Sequence, residues 1–277
     1  MKTIIVIGAG IVGVSTAIWL QRSGFKVTII DQKGPATGAS HGNAGILAAS
    51  SIIPVPNPSL IKKLPFFLLS KKSPVFFKMS YLPKMFPFLM SYLSKSNLRE
   101  VNKYAERMTP LIFDTVCQHS SLAKGTGAEK FISYQDYCFG YETEQNFIND
   151  EKVWELRQKH GLPFEVVTGN DFSKFDPFYN NLFDVIVKCK NHGKINDPGL
   201  YVKTLCDHFL SKGGELIIST VNDISSKNSN EVKVKIESDS LIASKIVVAT
   251  GAWSKKILKK FKIKMPLESE RGYHVEY

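Results

Sequence analysis

Three glycines near the amino terminus, Gly8, Gly10 and Gly13, stand at G-x-G-x-x-G spacing, and Asp31 follows eighteen residues after the last. Each residue type has a physical use. Gly8 permits a tight turn, Gly10 lets an anion approach bare backbone, and Gly13 permits close helix–strand packing. A helix that starts there offers unpaired N–H groups and its positive dipole end to phosphate. A carboxylate at Asp31 can accept hydrogen bonds from ribose hydroxyls. The chemistry implied is capture of a dinucleotide. The surrounding residues supply the elements it needs. Thr3 to Ile7 (T-I-I-V-I) predicts a buried strand, Val14 to Ser23 a helix, and Lys26 to Ile30 a second strand that ends on Asp31.

Thr3 to Gln21 is uncharged and follows Lys2, so a signal peptide or a membrane span is the competing reading. Neither needs glycines at this spacing, no small-residue cleavage pattern follows, and the segment runs directly into a second strand ending in an acid. The 277 residues suffice for one large or two smaller domains, and 43% hydrophobic content is ordinary for a globular chain. Cys117, Cys138, Cys189 and Cys206 are scattered without metal spacing. They read as reduced thiols of a cytoplasmic protein, and no metal site is expected.

The net charge of +11 is uneven. Gln32 to Arg99 contains no Asp or Glu but holds Lys33, Lys62, Lys63, Lys71, Lys72, Lys78, Lys84, Lys95 and Arg99. These lysines alternate with apolar clusters, Leu64 to Leu69, Val75 to Phe77 and Met85 to Met90. Lysine beside Phe and Leu suits an anionic membrane surface better than nucleic acid, and no nucleic-acid partner is expected. The alternative is an ordinary inserted domain with Phe in its core.

Residues 51 to about 95 are Pro-rich and predict irregular chain with short helical pieces. Asn97 to Lys124 reads as helix, with a break or a new helix start at Thr109-Pro110. Lys130 to Tyr141 reads as one strand, Glu144 to His160 as a helix capped by Gly161, and Phe183 to Cys189 as a strand. Asp197-Pro198 opens a helix to about Lys212, followed by a strand, Glu215 to Thr220. A polar turn at Ser225 to Asn230 precedes a hairpin of Glu231–Glu237 and Ser240–Ala243, and Lys245 to Ala249 is a short, buried, parallel-type strand. The first β-α-β is thus followed by a long excursion before the pattern returns. This predicts an α/β protein: a Rossmann-like nucleotide domain (1–51 and 191–260) with an inserted, incomplete α+β substrate domain (52–190 and 261–277).

Two further segments narrow the ligand. Ala36 to Ile46 (A-T-G-A-S-H-G-N-A-G-I) is a small, Gly-rich stretch able to pass close to a large planar ligand, and Ile246 to Ser254 is a strand ending at Thr250-Gly251. Together with D-P-G-L-Y-V-K-T-L at 197–205, G-G-E-L at 213–216 and E-R-G-Y-H-V-E at 270–276, they resemble the FAD-dependent amino-acid oxidase and dehydrogenase family. The resemblance is closest to its D-amino-acid dehydrogenase branch. It spans the nucleotide domain and the entry to the substrate sheet; residues 52 to 190 match in layout more than in motif.

The resemblance implies FAD, with Gly8, Gly10 and Gly13 at the pyrophosphate and Asp31 and Gln32 at the adenosine ribose. Ser40, Asn43, Ala44 and Gly45 would line the ribityl chain and flavin ring, Val221 the adenine, and Ala249, Thr250 and Gly251 the diphosphate. It also implies hydride transfer from the α-carbon of an amino acid to flavin N5, and hydrolysis of the product to a 2-oxo acid and ammonia. Arg271, Tyr273 and His274 are the candidate catalytic residues. Alternation puts Arg271 and Tyr273 on one strand face, where arginine suits a substrate carboxylate; a salt bridge to Glu268 or Glu270 is the plain alternative. Some relatives attach FAD through an early histidine, but that pattern is not reproduced, and His41 reads as a polar loop residue. Implied partners are an amino-acid substrate, a peripheral membrane surface at the inner face with a quinone acceptor, and a complementing carboxy-terminal chain. Family members run well past Tyr277, so a truncated substrate sheet is expected. A soluble glycine- or sarcosine-type oxidase and an inactive FAD-binding remnant are the alternative functions.

Overall fold

The computed structural model describes residues 2–56, 79–174, 176–179, 181–228, 230–267, 269 and 272–273. The chain forms two compact units. The first comprises Met1–Ile46, Gln118–Ser133 and Lys194–Tyr277, and the second Leu47–Cys117 and Tyr134–Gly193. The sequence division gives 118–133 to the inserted domain, but these residues belong to the first unit. The reason is a long-range tie: both terminal guanidinium nitrogens of Arg22 donate to backbone carbonyls there, Ser121 O at 3.1 Å and Leu122 O at 2.9 Å. His119 adds a contact to Tyr201 through Nδ1 and the phenol oxygen, 3.0 Å.

The first unit is built on a four-stranded parallel sheet. Thr3–Ile7 (β1) lies between Lys26–Asp31 (β2) and the strand Lys245–Val248, and Glu215–Ile218 flanks β2. Ile4, Ile5, Val6 and Ile7 are all buried, as expected of a central parallel strand covered on both faces. The strand Lys245–Val248 is parallel but only half-buried, because it is an edge of this sheet. Helix α1 (Ile11–Arg22) buries Gly13, Val14, Ala17 and Ile18. The helix Pro198–Ser211 starts where the Asp197 carboxylate accepts from Leu200 N–H (2.8 Å), with Pro198 in its first turn. Gln21 Nε2 ties the two helices by donating to Phe209 O and Lys212 O, both at 3.1 Å.

A second, antiparallel sheet joins Asp223–Asn228, Glu231–Lys235 and Ser240–Ala243. The hairpin is as predicted, but the supposed polar turn is largely a third strand. Only Ile224 of that strand is buried, so its sequence lacks the alternation that marks a strand. Ile224, Val234, Ile236 and Ala243 pack with Ile5, Ile7 and Ile30 into one core.

The second unit centres on the antiparallel sheet Tyr137–Tyr141, Val185–Cys189, Phe164–Thr168, with Val185–Cys189 in the middle. The single strand expected over 130–141 is interrupted: Ile132–Tyr134 and Tyr137–Tyr141 are separate strands. The helix expected over 144–160 is also two, Glu144–Asn149 and Glu151–Lys159, with Asp150 between them. Where irregular chain was expected, Leu82–Ser94 is a helix that holds Pro83 in its first turn and Pro87 inside. Leu98–Ile112 continues through Pro110 to end two residues later, so the break follows the proline. Asn97 caps that helix by accepting from Glu100 N–H, 3.1 Å. The Lys62–Lys78 part of the basic stretch lies outside the described residues.

Buried polar groups hold this unit's first segment in place. Ser50 is fully buried beside His192, and Arg157 is buried with its guanidinium 4.3 Å from the centre of the Trp154 ring and 5.3 Å from that of Phe139. Ser50 N–H donates to His192 Nε2 (3.1 Å), the Ser50 hydroxyl lies 2.8 Å from the same nitrogen, and Arg157 Nε donates to Ser50 O (3.2 Å). His192 Nδ1 faces Lys190 O at 2.8 Å. A carbonyl only accepts, so Nδ1 carries the proton and Nε2 is the acceptor for both Ser50 donors. His192 therefore belongs here as a neutral ring, and burial lowers its pKa.

Two tests follow from this packing. A Cβ at position 13 would lie 1.8 Å from Gly8 O, a clash with backbone. Gly13→Ala is therefore expected to cost on the order of 3 kcal/mol or more, read as a lowered urea midpoint; an unchanged midpoint would contradict the packing. The second test concerns pH. Burial also lowers His119 and His208. An imidazole depressed in the fold binds fewer protons there than in the unfolded chain. Its contribution to stability is complete above about 6.5 and is lost as pH falls through the folded value. Melting temperature should fall from pH 7.5 toward 4.5, and less steeply in His192→Gln, whose amide oxygen accepts without titrating. Parallel curves would show that His192 carries none of this dependence.

Candidate functional site

The turn from β1 into α1 is held from several sides. Gly8 has φ +109°, and a Cβ there would lie 2.4 Å from Ala249 O, so only glycine fits. Gly8 N–H donates to Ile30 O at 2.8 Å, and Ala249 N–H donates to Ile7 O at 2.8 Å. Ala9 N–H donates to Asp31 Oδ2 (2.9 Å), while Ala9 O accepts from Ala36 N–H (3.1 Å). Ala36 is buried at φ +58°, a left-handed conformation unusual for a residue with a Cβ. Nothing in its residue type signals that role.

Asp31 does more than the sequence implied. Its Oδ1 accepts from Lys33 N–H and Gly34 N–H, both at 2.9 Å, while Oδ2 takes Ala9. An ionised carboxylate has about four acceptor sites, so three are filled by backbone and Oδ2 keeps one. Gln32 beside it is exposed.

Ser40, buried in the Gly-rich segment, reaches the other side of the turn. Its Oγ accepts from Ile11 N–H at 2.9 Å, on the first residue of α1. The leading N–H groups of a helix have no intrahelical acceptor, and α1 has no acid in its first turn. A hydroxyl that accepts there still has its own proton to give. Gly10, extended at φ −73° and ψ 179°, faces this hydroxyl without a side chain between.

The rest of the loop is ordered by its own side chains. Asn43 Oδ1 accepts from Gly45 N–H (2.8 Å), and its Nδ2 donates to Ala39 O (3.2 Å). Gly45, at φ +66°, receives Ile195 N–H on its carbonyl (2.7 Å), and a Cβ there would lie 2.1 Å from Ile195 O. Ala44 is exposed. His41 Nδ1 would lie 2.7 Å from a Cβ on Gly199, so this imidazole packs on the first turn of the helix Pro198–Ser211.

The structure thus brings Gly8, Gly10, Gly13, Asp31, Ser40 and Ala249 around one turn. Thr250 Oγ1 lies 3.1 Å from Ser254 Oγ, Gly251 is exposed at φ +53°, and Val221 packs half-buried against the sheet core. Arg271 and His274 lie outside the described residues, and Tyr273 is exposed. No cluster of metal-ligating side chains occurs among the described residues. Bare backbone at Gly10, a hydroxyl on a helix start and a carboxylate with one acceptor site to spare form a set of groups suited to a dinucleotide such as FAD.

Known proteins resemble this chain along its whole length. The chain is 34% identical over 277 residues to a D-amino-acid oxidase of Bradyrhizobium diazoefficiens, a match covering 99% of this chain and 66% of that protein. It is 24% identical over 280 residues to D-amino acid dehydrogenase 1 of Mesorhizobium japonicum, covering 98% and 66%. The chain therefore spans about two thirds of the length of these relatives. Among solved structures, glycine oxidase from Geobacillus kaustophilus superposes with a TM-score of 0.65 at 16% identity, over 95% of this chain and 60% of that one. L-amino acid deaminase from Proteus vulgaris gives 0.67 at 15% identity, over 96% and 51%. These two share the fold. The family model described as FAD dependent oxidoreductase matches residues 3–277, so the chain belongs to the FAD-dependent oxidoreductase (DAO) family.

Proposed function

We propose that this chain binds FAD and serves the oxidation of the C–N bond of an amino acid, of D configuration, to a 2-oxo acid and ammonia. The observation that carries the reading is the turn at Gly8–Gly13, with Asp31 and Ser40 on its two sides, inside a whole-chain family match whose relatives are named D-amino-acid oxidase and dehydrogenase. When bound, the flavin supplies the hydride acceptor. The protein's part is to bind and orient. Gly8 and Gly13 let the turn close, Gly10 leaves backbone open to the pyrophosphate, and the Ser40 hydroxyl, already accepting from Ile11, would donate a hydrogen bond to a phosphate oxygen. Asp31 takes one ribose hydroxyl, with Gln32 beside it. Asn43 holds the 43–45 backbone in shape, so that Ser40, Asn43, Ala44 and Gly45 line the flavin. Val221, Ala249, Thr250 and Gly251 complete the set. The sequence assigns Arg271 to the substrate carboxylate, with Tyr273 and His274 as the other catalytic candidates.

The relative at 34% identity is named an oxidase, which supports oxygen as the electron acceptor. A quinone in a membrane is the second reading. It is supported by the helix Leu82–Ser94, which exposes Phe86, Phe88 and Met90 in the stretch without acids. No described helix is long and apolar enough to cross a membrane, so this reading concerns peripheral contact.

The purified chain, supplied with FAD, should show a bound-flavin visible spectrum that bleaches anaerobically with D- but not L-amino acids. Oxygen uptake with peroxide release assigns the oxidase, and turnover only with a quinone assigns the dehydrogenase. A flavin that binds but never bleaches leaves the oxidation needing further sequence or a complementing chain, and no flavin binding at all refutes the reading. Asp31→Ala and Ser40→Ala are each expected to weaken FAD binding by roughly tenfold, one charged or cap-type hydrogen bond apiece. Titration of the apoprotein by flavin fluorescence checks this; unchanged affinity in both variants would remove these residues from the site.

A further inference from the structure

The first unit carries a lysine-rich surface that the dinucleotide site does not use. Between Asp239 and Glu268 there is no acid, and six lysines fall within 255–264. The helix Ser254–Lys259 is anchored by Ile257, which packs against the sheet core. After it the chain turns at Lys262, whose φ is +59°. Residues 261–265 are exposed throughout, and apolar and basic side chains alternate there: Phe261, Lys262, Ile263, Lys264, Met265. Lys260 is neutralised locally, with its Nζ 2.7 Å from Asp223 Oδ1 and donating to Asn222 O at 2.7 Å. Lys256, Lys259, Lys262 and Lys264 make no ion pair among the described residues.

We infer that Lys256–Met265 is a docking surface for an anionic phospholipid bilayer. Uncompensated lysines attract the charged headgroups, and their long stems let the ammonium groups stay at headgroup level while neighbouring apolar side chains enter the boundary below. Ile263 is 53% exposed and Met265 39% exposed, and both are aliphatic side chains of the kind that enters acyl chains. Nucleic acid would be met differently. Base-edge recognition leans on arginine, with its bidentate fork, and no arginine occurs between Arg157 and Arg271. None of these residues is among those assigned to FAD, so the inference does not rest on the proposed oxidation.

The test is co-sedimentation of the full chain with vesicles of phosphatidylcholine alone or mixed with phosphatidylglycerol, at physiological salt, with melting temperature recorded for every variant. Binding is expected only with phosphatidylglycerol. The triple variant Lys259→Glu, Lys262→Glu, Lys264→Glu should lower it at least tenfold. Ile263→Ser with Met265→Ser, which leaves every charge in place, should lower it several-fold. Failure of the wild type to sediment, or equal sedimentation of the folded charge-reversal variant, overturns the proposal. Should the charge reversals not fold, the serine pair decides alone: undiminished binding overturns it. Tighter binding to duplex DNA than to the anionic vesicles would assign the surface to nucleic acid instead. FAD titration of the same samples reads the cofactor site separately, so loss of either property is distinguishable from loss of the other.

Discussion

The first unit depends on a backbone contact that admits no side chain. Gly13 lies so close to the Gly8 carbonyl that a methyl group would occupy the same space, and Gly8 is pressed in turn against Ala249. Because α1 sits this near to β1, the helix start faces the carboxyl end of the sheet. The strand Lys245–Val248 pairs with β1 in a register that delivers Ala249 N–H to Ile7 O. Had the helix stood off by the width of one side chain, the donors at its first turn would no longer converge with Asp31 and Ser40.

Asp31 shows how the same contact is kept in place. A free turn of small residues would sample many conformations and lose much entropy on ordering. Here one carboxylate gathers three amides from two chain segments, while Ala36 returns a bond to the carbonyl of Ala9. The left-handed backbone of Ala36 is a local cost that this bond and the burial around it offset. A carboxylate used in this way positions the turn, and in the proposed function its one remaining acceptor site is what a ribose hydroxyl would meet.

Much of this was legible in the residues, for physical reasons that also explain what was not. The glycines, the acid at the end of β2 and the Asp197-Pro198 helix start are local devices, with spacing that carries their meaning. Ser40 and Asn43 were expected only from the family resemblance of the segment that holds them. By contrast, Asp223–Asn228 is a solvent-washed strand with one buried residue, and such a strand leaves no periodicity to read. Pro87 and Pro110 stand inside helices, where tertiary contacts outweigh the lost hydrogen bond. The place of 118–133 depends on Arg22 meeting carbonyls about a hundred residues away, which no local pattern encodes. The Ser50–His192–Arg157 group was missed for the same reason, since its members are 107 and 142 positions from Ser50.

Charge is distributed by a different rule from the rest of the fold. In the second unit lysines meet acids at short range, as Lys190 and Lys188 do at Asp136, and Lys95 and Lys103 at Glu100. Exposed pairs of this kind add little stability, but they cancel the local field. The two acid-free stretches, 32–99 and 240–267, together hold more positive charge than the whole chain's net +11, so the remainder of the protein is net acidic. Six lysines within ten residues repel one another at low ionic strength, and nothing in the packing of Ile257 or the turn at Lys262 requires them. Salt screens mainly charges that stand more than a Debye length apart, so neighbouring lysines go on repelling one another, whereas an opposing anionic surface would remove that repulsion. Retaining uncompensated lysine next to exposed isoleucine and methionine sets these residues apart from surface that merely keeps a protein in solution.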